Sequence, residues 1–318
     1  MGGGYPNRPF CEIIKKMARH IRGYKIPLLV SASLLLLCVL TAFFYTFVGA
    51  MEEMGADTPL SVADLSAVPQ SVVEDATAMA KELVGSYKGR YEVFVNQLLA
   101  LYVEAEDKDV VVLFNSGGWG TNRPQGDGGW ASIFDGIKTE LQSLGYNALF
   151  VNYQRTETSV RGVIDEVIEL LSIYPTKADK LAKRVDFLTN HLPNLNVIVA
   201  GESNGTVISD SVMNELHDNQ RVYGILTGPP FWHRPAAHER TLVVKNNGTM
   251  PDSFTEGNTG AILLASAKAI LGLTPRDEPP GAVLNSLRAP GHDYSWQYPG
   301  VYYQITDFLE KNFRPKQS

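Results

Sequence analysis

Gly201-Glu202-Ser203-Asn204-Gly205 sets a serine between two glycines where one sequence pattern gives way to another. The residues before it, 196–201 (NVIVAG), read as a buried strand, and residues 204–216 read as a helix. A serine at such a junction is a candidate nucleophile. The tight turn holds it in a strained backbone conformation, and the glycines let strand and helix approach closely. The new helix aims its unpaired N–H groups and positive end at the same place. The plainer alternative is that Ser203 only caps that helix. A serine hydroxyl attacks only when a base takes its proton, so a histidine is required. Other chemistries lack their signatures: no H-E-x-x-H, no paired-aspartate loop and no G-x-G-x-x-G after a strand occurs. Neither a metal nor a cofactor is expected.

The elements that must position Ser203 follow from periodicity. Residues 110–115 (VVVLFN) form a continuous apolar run, as a central parallel strand buried on both faces would. Further strands are predicted at 147–153, 222–227 and 241–245. Helices are predicted at 130–144, 204–216, 258–271 and 299–313, and over 160–192 with a break near Pro175. Strands alternating with helices imply a parallel sheet covered on both sides, with chemistry beyond the carboxyl ends of the strands. Ahead of this unit, Val72, Ala76, Met79, Leu83, Tyr87, Tyr91, Phe94, Leu98 and Tyr102 recur at helical spacing. Residues 71–105 are thus a helical stalk or packing helix, with a break at Gly85 or Gly89, and residues 51–70 read as a linker.

Residues 26–50 contain no charge in 25 positions. At about 1.5 Å per residue the run reaches roughly 37 Å, enough to span a bilayer. Six basic residues against Glu12 leave residues 1–25 at +5, so the remainder carries −11 of the net −6. The basic flank precedes the span, which predicts a single-pass plasma-membrane protein, N-terminus inside and the domain of residues 106–318 outside. An acidic domain repels phosphate backbones, so no nucleic-acid partner is expected. The two cysteines, Cys11 and Cys38, both precede the domain and give it no disulfide framework.

From 109 to 313 the chain resembles the α/β-hydrolase superfamily, on the strength of G-x-S-x-G in its strand–helix setting. In that family the acid follows a later strand and the histidine comes last. The resemblance implies His292, in Pro290-Gly291-His292-Asp293-Tyr294, as general base and Asp252 as its carboxylate partner, with Glu256 the runner-up and Asp293 a third choice. His233 and His238 follow the fourth strand and could also line the site. The oxyanion hole would take the backbone N–H of Asn204 and, because Ser116-Gly117-Gly118-Trp119-Gly120 resembles the family's His-Gly-x loop with glycine in place of histidine, that of Trp119. The implied activity is serine hydrolysis of esters or thioesters through an acyl-enzyme, on a small-molecule or lipid acyl substrate. A peptidase or acyltransferase of the same fold, or a non-catalytic binding domain, are the alternatives. Two segments could shape the pocket: residues 118–130, with a tryptophan at each end, as a flap, and residues 261–273 as a lid, an acyl-binding wall or a core helix.

Overall fold

The computed structural model describes residues 53–55, 67–118, 120, 128–155, 160–274, 281–283 and 287–316. The expected membrane span at 26–50 and Trp119 lie outside these. Among the described residues no helix is long and apolar enough to cross a membrane.

Among the described residues six strands form one sheet: β1 (Glu53–Gly55), β2 (Val110–Asn115), β3 (Ala148–Gln154), β4 (Asn196–Glu202), β5 (Val222–Thr227) and β6 (Thr241–Val244). Their order is β1-β3-β2-β4-β5-β6. All pairs are parallel except β1 with β3. Among the described residues eight helices accompany them: α1 (Gln70–Val84), α2 (Lys88–Ala105), α3 (Gly128–Ser143), α4 (Val160–Leu171), α5 (Pro175–His191), α6 (Asn204–Glu215), α7 (Thr259–Ile270) and α8 (Pro299–Asn312). A small antiparallel ribbon, β7 (Ala282–Val283) with β8 (Leu287–Arg288), precedes His292.

The continuous apolar runs are strands because both faces are covered. Val111, Leu113, Val197 and Val199 point to one face, against α1, α2, α5 and α6. Val110, Val112, Phe114, Ile198 and Ala200 point to the other, against α3 and α8. This is the period-two alternation of a pleated strand. The predicted break in 71–105 falls at Gly85, whose φ of +82° suits a residue without Cβ. Both α1 and α2 bury apolar residues in the sheet's core. The stretch read as a linker contains β1, which pairs residue by residue with Gln154, Tyr153 and Asn152.

Consecutive strands β2 and β3 lie to one side and β4 to the other, so the connections leave β2 and β4 in opposite directions. Such a reversal opens a crevice beyond the strand ends. The loop after β2 and Ser203 after β4 meet there.

Candidate active site

Ser203 has φ 49° and ψ −120°, a conformation that residues bearing a Cβ rarely adopt. Two anchors hold it. Its N–H donates to the Thr227 carbonyl at 2.9 Å, and its carbonyl accepts from the Thr206 N–H at 2.9 Å. Its hydroxyl makes no cap hydrogen bond to α6, so helix capping does not account for the serine. The flanking glycines are required sterically. A Cβ on Gly201 would lie 2.7 Å from the Gly205 carbonyl oxygen, and one on Gly205 would lie 2.1 Å from that of Asn115. Gly205→Ala should therefore force β2 and α6 apart, costing about 3 kcal/mol by overpacking. For a domain of this size that is a fall of roughly 6–12 °C in Tm. An unchanged thermal melt would refute the close approach.

His292 donates Nδ1–H to Asp252 Oδ2 at 2.8 Å. An ionised carboxylate carries no proton, so the donor is the ring nitrogen, and Nε2 of the neutral ring is left as an acceptor. Asp252 is fully buried and well supplied with donors. Its Oδ1 accepts from the Phe254 and Thr255 N–H groups at 2.8 and 3.1 Å. Its Oδ2 also accepts from the Tyr294 hydroxyl at 2.7 Å and the Thr255 hydroxyl at 2.9 Å. Burial alone would raise this carboxyl. The hydrogen bond and charge of His292, then Tyr294 and Thr255, outweigh it and hold the group below the ordinary carboxylate range. Burial, then the Asp252 charge, pushes the Tyr294 phenol well above its usual value.

The other candidates are placed elsewhere. Glu256 is exposed. The Asp293 carboxylate accepts from the Tyr298 hydroxyl at 2.7 Å. His233 pairs with Asp210 at 3.0 Å, and His238 with Asn214 Oδ1 at 3.0 Å.

Ser203 and His292 each meet one of two consecutive residues at the end of β5. Ser203 is bonded to Thr227, and a Cβ on the next residue, Gly228, would lie 2.8 Å from His292 Cε1. Among the described residues, no hydrogen bond joins the Ser203 hydroxyl to His292. Asn204 opens α6, so its N–H has no intrahelical partner. Facing it is the loop after β2. A Cβ on Gly117 would lie 3.2 Å from that of Ser203, and Asn204 Nδ2 donates to the Gly118 carbonyl at 3.3 Å.

Two expectations about the surroundings change. Trp130 is not part of a flap: it sits in the core on α3, 4.3 Å from the Phe114 ring, with its indole N–H on Thr227 Oγ1 at 3.2 Å. Nor is the 261–273 segment a core helix. In α7 only Ser266 is buried, while Leu263, Leu264 and Ile270 are exposed. A stretch this rich in apolar residues, interrupted only by Ser266 and Lys268, has too little period to distinguish the two cases. An aromatic group lies beside the histidine: the Phe254 ring is 4.8 Å from His292, and half-exposed Phe231 and Trp232 pack edge-on against it.

No protein family's sequence profile matches the chain, and no curated protein matches it. Among solved structures, a Trichoderma reesei cutinase in complex with a C11Y4 phosphonate inhibitor is similar over 60% of this chain and 82% of its own, at 18% identity and TM-score 0.35. An extracellular α/β-hydrolase from a Paenibacillus species, described as sharing structural and functional homology with tobacco salicylic acid binding protein 2, is similar over 61% and 73%, at 14% identity and TM-score 0.22. The α/β-hydrolase-like fold stands on the chain's own topology, a parallel sheet with a strained strand–serine–helix turn at its switch point.

Proposed function

We propose that the protein is a membrane-tethered serine hydrolase that cleaves acyl esters or thioesters through Ser203, His292 and Asp252. The observation that carries this reading is the Ser203 backbone, strained at φ 49° for a side chain that caps nothing. Strain of this kind costs about 1–3 kcal/mol and persists where the surroundings enforce it. The buried His292–Asp252 pair, packed against the same end of β5, supplies the base.

In the proposed reaction Ser203 Oγ forms a bond to the substrate's acyl carbon while its proton passes to His292 Nε2. That proton then goes to the departing alcohol or thiol as the old bond breaks. Water, deprotonated by the same nitrogen, releases the acid and restores the serine. Asp252 orients the ring and stabilises its protonated form. The Asn204 N–H and the loop containing Trp119 would bind the developing oxyanion. Phe231, Trp232 and Phe254 offer an apolar wall to the acyl chain.

The direct test is reaction of the full chain with a fluorophosphonate probe, with p-nitrophenyl esters of increasing acyl length assayed alongside. Stoichiometric labelling and ester turnover are expected. A folded protein that neither labels nor turns over would make this a binding domain.

The tether is proposed on residues 26–50 and the basic flank before them. A reporter active only outside the cytoplasm, fused at the C-terminus, should be active. Activity from a cytoplasm-only reporter would reverse the orientation.

A further inference from the structure

Three charged side chains lie buried beneath the loop that faces Ser203. Arg155, directly after β3, donates Nε–H to Glu166 Oε1 at 2.8 Å. Lys177 donates to Glu166 Oε2 at 2.6 Å and to the Arg155 carbonyl at 2.7 Å. The Tyr174 hydroxyl donates to Glu166 Oε1 at 2.9 Å. The side chains of Arg155, Glu166 and Lys177 are 0%, 1% and 7% exposed. Withdrawing each ion from water costs several kcal/mol, and apolar residues of equal volume would often give a more stable core. Stability alone is therefore a poor account of the cluster.

The remaining guanidinium donors indicate its task. Nη1 donates to the Ser116 carbonyl, and Nη2 to the Gly118 carbonyl at 2.9 Å. These two carbonyls flank Gly117, the residue set against Ser203. The turn closes with the Gly120 N–H on the Gly117 carbonyl at 3.1 Å. A Cβ on Gly120 would lie 2.4 Å from Arg155 Cγ, so the turn is wrapped on the arginine. In a planar trans peptide the N–H points opposite the carbonyl. Drawing the Ser116 carbonyl towards Arg155 turns the Gly117 N–H away from it.

We infer that Arg155 is a positioning residue: its planar fork, paired with Glu166 and braced by Lys177, sets the orientation of the peptide groups after β2 that face Ser203, and with it the site's power to stabilise an oxyanion. This rests on the hydrolase reading above. Lysine could keep the charge and not the two-pronged geometry.

The test compares wild type, Arg155→Lys and Arg155→Ala for p-nitrophenyl butyrate hydrolysis, with thermal melts of each. Loss of one oxyanion donor costs about 10²–10³ in rate. Both variants should accordingly lose about 100-fold in kcat with KM within about twofold. Guanidinium ion at a non-denaturing concentration should restore Arg155→Ala at least tenfold, while methylammonium does not and wild type is unaffected. If the alanine variant does not fold, the kcat–KM split in Arg155→Lys decides. A folded Arg155→Lys with kcat within threefold of wild type overturns the proposal, as does a folded Arg155→Ala that guanidinium fails to rescue. Absence of ester turnover in wild type itself overturns the hydrolase reading and this proposal together.

Discussion

Ser203→Ala is expected to abolish fluorophosphonate labelling and to lower ester turnover by about 10⁵–10⁶-fold, leaving the roughly 10³–10⁴-fold over water that binding and oxyanion donors supply without a nucleophile. The fold should be untouched, because the backbone anchors on Thr227 and Thr206 use main-chain atoms of residue 203 alone. Alanine keeps the Cβ and with it the strain at φ 49°. Its melting temperature should match wild type within about 1 °C. Ser203→Gly is the informative companion. It is equally inactive, yet glycine adopts positive φ without penalty, so part of the stored 1–3 kcal/mol should return as stability. The greater freedom of glycine in the unfolded chain offsets about 0.5–1 kcal/mol of that. A more stable, dead Ser203→Gly beside an equally stable, dead Ser203→Ala separates chemistry from folding. Equal labelling of Ser203→Ala and wild type would remove this serine from the mechanism.

How far the site could be read from sequence depended on range. Runs such as 110–115 and 222–227 match their strands end to end, because two covered faces favour apolar side chains along a central strand until its carboxyl end, where Asn115 and Thr227 stand. β1 carries no such signal: Glu53, Met54 and Gly55 have neither apolar continuity nor β propensity, and their pairing is an edge contact. The arginine cluster was equally invisible. Arg155, Glu166 and Lys177 sit 11 residues apart, a spacing that carries no signal of burial, and only the folding of α4 and α5 under the β2 loop buries them. Tyr294 was within reach. It lies two residues beyond His292, and in extended chain such neighbours face the same way, here onto one carboxylate.

The strongest test of the acid is Asp252→Asn. The five donors around this carboxylate dictate how an amide must sit. Two backbone N–H groups, from Phe254 and Thr255, point at Oδ1, so the amide oxygen of the variant must stay there. The NH₂ is then forced into the Oδ2 position, against His292 Nδ1, the Tyr294 hydroxyl and the Thr255 hydroxyl. An NH₂ donates, so it stabilises the ring tautomer with Nδ1 unprotonated and the proton on Nε2. That nitrogen can no longer take the proton of Ser203. We expect kcat to fall by about 10⁴-fold, the scale of a wrong-tautomer defect, with substrate affinity retained. The same substitution has a pH signature. The Asp252 carboxyl is depressed in the folded protein, so its ionised form contributes stability that is complete above the unfolded value of about 3.9 and is lost as pH falls through the folded value. Wild type should be the more stable at pH 7, and the gap to Asp252→Asn should narrow as pH falls below about 4. A gap that stays constant down to acid pH, or a folded Asp252→Asn with kcat within tenfold of wild type, would take Asp252 out of the site and return the choice of acid to the remaining carboxylates.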